Sequence, residues 1–135
     1  MRGNEAIFWR YLSSVMKGFW EVQRHEDKHS VGIPDLSFTI NRHGWMELKA
    51  VSPLKDKVHI PHFSEQQKNW MFRFGRRGGG VWLFVKLVSA KPRYCLIDWQ
   101  TAQDLGTSLE WIEKHSMRVW CGKISPHELA EVLDT

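Results

Sequence analysis

Asp35, Glu47 and Lys49 are the residues of this chain whose types and spacing could do chemistry together. Asp35 follows Pro34 and leads into Leu36-Ser37-Phe38-Thr39-Ile40, a strand-like run. Asn41-Arg42-His43-Gly44 then reads as a turn, and Trp45 to Val51 as a second strand. Side chains alternate across a strand, so Glu47 and Lys49 share one face and Leu48 takes the other. The hairpin folds Asp35 back towards the second strand, and two carboxylates and an ammonium converge on one edge of a small sheet. Such oxygen donors suit Mg2+, with the backbone carbonyl of Leu48 as a third ligand and open positions for water and a phosphate. Lys49 would stand over the phosphate or the attacking water and stabilise developing charge. Without a cation the two carboxylates would repel each other, so a metal is part of the expectation. These are the requirements of phosphodiester hydrolysis.

The elements that must position this hairpin are legible around it. Residues 4–24 carry Ile7, Phe8, Tyr11, Val15, Phe19 and Val22 mostly three or four apart, which predicts an amphipathic helix. Polar residues 23–30 read as a loop, and residues 52–63, with two prolines, as a mobile connector. Ser64-Glu65-Gln66-Gln67 is a capping box, predicting a helix to about Phe74 that buries Trp70 and is ended by Gly75 to Gly80. Val81 to Val88 is almost continuously apolar, as in a central strand covered on both faces. A further strand is predicted at 93–99, a short helix with a capping box from Thr107 to His115, and a short strand within 117–124. A last helix opens with Pro126 at its first position. The order describes a mixed sheet flanked by helices, of the α/β or mixed α+β class.

Composition sets the outer bounds. A chain of 135 residues is expected to be a single domain, 1–135. Its apolar content of 42% with eight Trp argues for a folded globule. The formal charge of +4 and pI near 9.2 suit a polyanionic partner. Cys95 and Cys121 each lie in an apolar stretch and read as reduced core residues of a cytoplasmic protein. No apolar run approaches the roughly 20 residues of a membrane span, and no secretory leader is recognisable.

Gly32-Ile33-Pro34-Asp35, eleven residues, then Glu47-Leu48-Lys49 resembles the motif of the PD-(D/E)XK nuclease superfamily. The resemblance implies a restriction-endonuclease-like core of αβββαβ order, of which the reading above leaves one strand of the three-strand meander unassigned; residues 28–33 or 50–60 are candidates. Its Holliday-junction resolvases and virus-type replication-repair nucleases carry a first-helix glutamate as an extra metal ligand. Glu5 matches it, with Glu21 and Glu26 as rivals. They also carry Ser-x-x-Gln opening the helix after the lysine strand, matched by Ser64 and Gln67; Gln67 joins the catalytic set on that ground, although it also has a role as capping partner.

The resemblance implies a Mg2+-dependent DNA endonuclease, with Mn2+ as a substitute. Phage and archaeal junction-resolving members work as homodimers on branched DNA, in the host cytoplasm for a phage protein. A nicking, restriction-like or end-processing nuclease of the same fold is an alternative, and so is a non-catalytic basic DNA-binding module. Arg73, Arg76 and Arg77, beside three glycines, and Lys55 and Lys57 in the connector are candidate phosphate contacts; the glycine-run amides could assist the arginines. Trp9, Trp20 and Trp45 are candidates for partial exposure, available for stacking on bases or for a subunit interface.

Overall fold

Six strands lie side by side in chain order in the computed structural model, which describes residues 3–26, 32–60 and 63–135. They are β1 (Glu21–Arg24), β2 (Leu36–Thr39), β3 (His43–Val51), β4 (Gly80–Leu87), β5 (Arg93–Asp98) and β6 (Arg118–Cys121). All neighbours are antiparallel except β3 and β4, which are parallel, with Glu47 opposite Leu83 and Lys49 opposite Val85. A parallel pair needs a crossover, and α2 (Glu65–Gly75) supplies it. The other helices are α1 (Gly3–Val15), α3 (Trp99–Gln103), α4 (Leu109–His115) and α5 (Pro126–Leu133).

Alternation along the strands makes two cores. Leu36, Phe38, Met46, Leu48, Phe84, Tyr94 and Leu96 face α1 and α5, meeting Phe8, Leu12, Leu129 and Leu133. Val51, Val81, Leu83, Val85, Cys95 and Ile97 face the other way, against Trp70 and Met71 of α2, Ala102 of α3 and Ile112 of α4. The sheet is therefore the middle of three layers, and β4 is buried on both faces as its apolar run predicts.

The expected first helix is shorter than its periodicity suggests. It stops at Val15, and Gly18 turns the chain with φ +86°, a conformation that costs glycine little. Residues 21–24 then form β1, paired antiparallel with β2. This is the unassigned strand of the meander, taken from the end of the predicted helix and from neither of the two candidate segments; Val22 had completed a helical stripe and equally fits a strand whose exposure alternates. The capping box at Ser64 is present in full, with the Gln67 amide donating to Ser64 Oγ and the Ser64 amide to Gln67 Oε1. At α4 the expected box reduces to one bond, from the Trp111 amide to Ser108 Oγ, because Ser108 rather than Thr107 is the cap and the third position is then Trp111.

The predicted connector is pinned rather than loose at Val58, which is 2% exposed and whose amide donates to Thr107 O at 2.6 Å. Cys95 is buried as expected, whereas Cys121 is exposed, because it ends the edge strand β6. Trp20 is a core residue packed beside Phe38, not a partly exposed one. Residues 27–31 and 61–62, which include parts of the predicted loop and connector, lie outside the described residues.

Candidate active site

Ser37, Glu47 and Lys49 are the buried polar side chains among the described residues, and all three belong to one patch of the sheet. Ser37 pairs with Trp45, and Leu36 with Met46, so stepping one residue back puts Asp35 beside Glu47. The face is the α2 side, since Met46 and Leu48 are committed to the α1 core.

β2 starts at Leu36, so among the described residues the β2–β3 ladder ends at the Leu36–Met46 pair. Asp35 continues it with its side chain. Leu48 N donates to Asp35 Oδ2 at 3.0 Å, and Asp35 N donates to Glu47 Oε1 at 3.0 Å. A strand residue directs its N–H and C=O to the same side, so the Leu48 carbonyl is aimed at the edge that holds Asp35. Glu47 is then fixed from two more directions: Gln67 Nε2 donates to its Oε2 at 2.7 Å, and Lys49 Nζ lies 3.2 Å from the same oxygen. Gln67 reaches it because the capping box holds that residue's own Oε1 on the Ser64 amide, which turns the NH2 towards β3.

Gly32 closes the approach. Its φ is +92°, and a Cβ there would run into the Gln66 carbonyl, so the segment ahead of Asp35 packs directly on the first turn of α2. On the other side, the His25 amide donates to Asp35 O at 2.8 Å, while His25 Nε2 and Ser37 Oγ are 2.8 Å apart. The His25 ring also lies 5.1 Å from that of Trp45. Sequence reasoning missed both His25 and Ser37. Ser37 was accessible to it, two residues after Asp35 and hence on the same face; His25 was not, because its neighbourhood depends on β1.

The structure thus brings together Asp35, Glu47, Leu48, Lys49 and Gln67. Glu5 lies half-buried in the first turn of α1, and no three His, Cys, Asp or Glu among the described residues group as a metal cage. Arg73, Arg76 and Arg77 are exposed at the C-terminal end of α2. Their neighbouring amides are spent on the helix itself: Arg76 N on Phe72 O, Arg77 and Gly79 N on Phe74 O, and Gly78 N on Gly75 O. Only the guanidinium groups of this run, not those amides, remain to meet a phosphate. Lys55 and Lys57 are exposed in a tight turn closed by paired bonds between Leu54 and Lys57. That turn is tied to the start of α4 through Leu109 N to Asp56 O, beside a groove that includes Glu110 and Glu113.

No known family model and no curated protein sequence matches the chain. Among solved structures it is similar to Hjc, a Holliday junction resolvase from the archaeal hyperthermophile Archaeoglobus fulgidus, with a TM-score of 0.60 over 93% of this chain and 98% of that one. The fold is restriction-endonuclease-like. Identity is 17%, so the likeness lies in the mixed sheet with its helical layers. The resemblance drawn from Asp35, Glu47 and Lys49 holds at that level.

Proposed function

We propose that this chain is a Mg2+-dependent DNA endonuclease that prefers branched DNA and acts as a homodimer. The observation that carries the reading is the burial of Glu47 and Lys49, each 3% exposed, beside Asp35 where the β2–β3 ladder ends. Two buried charges are a poor way to stabilise a sheet, since apolar residues of similar volume usually do as well or better. Their retention at an edge with converging oxygen donors is what a reaction centre needs.

The donor set fits a hard divalent cation: the carboxylates of Asp35 and Glu47 with the Leu48 carbonyl directed to the same edge. Glu5 joins them only on the resemblance. When bound, the metal would supply Lewis acidity and an acidified water. The chain's own residues do the rest. Lys49 places an ammonium where charge develops on the phosphoryl oxygens. Gln67 acts through Glu47 as a positioning residue, holding one carboxylate oxygen so that the other stays directed at Asp35. The exposed arginines of α2 supply sequence-independent phosphate attraction. The similarity to a resolvase supports branched DNA as substrate, and a twofold dimer would set two sites against two strands of a four-way junction.

The test is a panel of labelled four-way junction, nicked, single-stranded and linear duplex DNA, each with Mg2+, Mn2+ or EDTA. Faster, paired symmetric cutting of the junction supports the proposal. Equal cutting of linear duplex retains the nuclease and rejects branch selectivity. Binding without cutting under every metal leaves a DNA-binding module.

A further inference from the structure

We propose that Phe74 is a stacking platform for an unpaired base of the DNA substrate, placed by α2 at a fixed distance from the cleavage site. The inference rests on the DNA-nuclease reading above and adds a specificity element to it. Gln67, Trp70 and Phe74 follow one another along one face of α2, three and four residues apart. Gln67 bonds Glu47. Trp70 meets Trp45 of β3 edge-on at 5.0 Å, and Phe74 stacks on Trp70 with ring centroids 3.9 Å apart and 17° between planes. A row of rings therefore leads from the carboxylates out to solvent, covering roughly 10 Å between Gln67 and Phe74 at the rise of a helix.

The row changes character at its end. Trp70 is 4% exposed, whereas Phe74 is 45% exposed. One side of the Phe74 ring is already committed to Trp70, and a base would extend the stack from the other. The platform is rigid, because a Cβ on the next residue, Gly75, would collide with the Trp99 ring of α3 and no space separates the two helices there. A pre-ordered ring loses little freedom when a base stacks on it.

Charge selects the occupant. From Gln66 to Ile97 the chain has seven Lys or Arg and no Asp or Glu; Arg73, Arg76 and Arg77 are exposed at the same end of α2, with the Arg76 guanidinium 5.5 Å from the ring of Phe72. An exposed aromatic among cations fits a base with its flanking phosphates. A second copy of this chain docked by the same patch would set these arginines against their own counterparts, which disfavours that occupant.

The experiment compares wild type with Phe74→Ala, Phe74→Leu and Phe74→Trp in EDTA. The probes are a four-way junction and a gapped duplex carrying 2-aminopurine at the unpaired position, and a fully paired duplex of the same sequence. Affinity, 2-aminopurine quenching and sedimentation are measured. Phe74→Ala and Phe74→Leu are expected to weaken binding of the gapped and branched probes about tenfold, consistent with the worth of one base–aromatic stack, and to relieve the quenching. Duplex affinity is expected to stay unchanged, and Phe74→Trp to restore both readouts. Equal effects on all probes, or quenching that survives Phe74→Ala, overturn the platform. So does a change from dimer to monomer in Phe74→Ala, which would make the patch a self-association surface. Wild type that binds none of the probes defeats the nuclease reading itself, whereas binding and quenching indifferent to Phe74 defeat only this inference.

Discussion

Removing the Lys49 ammonium should unfold the protein more readily, and removing the Glu47 charge as well should give most of the stability back. At 3.2 Å and almost no exposure, the pair interacts by about 5 kcal/mol if the effective dielectric is near 20. Breaking one partner of such a pair typically costs about 3–5 kcal/mol, because the other charge is left in the interior. Glu47 would keep its bonds from Asp35 N and Gln67 Nε2, so Lys49→Met should fall at the low end, about 3 kcal/mol. For a chain of this size that lowers Tm by roughly 10 °C. In the double variant Glu47→Gln/Lys49→Met no buried charge remains in the pair, and the carboxamide oxygen still accepts from Asp35 N, but its NH2 faces the Gln67 Nε2 donor and that bond is lost. Its stability should return to within about 1–2 kcal/mol of wild type. The assay is urea unfolding followed by tryptophan fluorescence in EDTA, with both variants inactive in cleavage. A double variant as unstable as the sum of its singles would refute the reasoning, as would a Lys49→Met variant of wild-type stability.

Gly32→Ala forces a Cβ into left-handed backbone and against the Gln66 carbonyl. It should cost about 1–3 kcal/mol in strain and displace Asp35 from Glu47, so urea unfolding should shift modestly while cleavage falls far more; an unchanged rate would contradict the placement of Asp35. Of the two thiols, Cys121 should react with iodoacetamide in the native protein and Cys95 only after unfolding, because burial pushes the Cys95 thiol up to about 12; mass spectrometry of the labelled peptides decides. Asp134 holds the β2–β3 turn through the Asn41 side chain and the Asn41 and Arg42 amides, and these bonds, the Asn41 side chain first, keep its carboxyl below the usual range. A depressed carboxyl stabilises above its unfolded pKa and loses that contribution as pH falls through the folded value. The stability advantage of wild type over Asp134→Asn should therefore be present at neutral pH and vanish in strong acid, as read from unfolding midpoints across pH.

What was legible in the sequence follows a physical pattern. The hairpin around Glu47 and Lys49 could be read because alternation and a Pro-Asp start are local signals, and the Ser64 capping box because its partners lie within one turn. The end of α1 could not. Val22 satisfies a helical period as well as a strand one, and only Gly18 marked the break. With β1 misread, the contacts it makes were invisible, including the His25 amide on Asp35 and the His25–Ser37 bond. Exposure of Cys121 depends on β6 being the last strand of the sheet, which no local pattern states. The spending of the glycine-run amides on α2's own carbonyls is likewise a property of the folded turn.

If Asp35, Glu47 and Lys49 form a metal-dependent phosphodiester-cleaving centre, cleavage of a labelled four-way junction needs both the metal and Lys49. Wild type and Lys49→Ala are compared, each with Mg2+ and with EDTA, on samples whose circular dichroism shows them folded. Wild type with Mg2+ alone should cut. Cutting that persists in EDTA, or in the folded Lys49→Ala variant at the wild-type rate, would rule such a centre out.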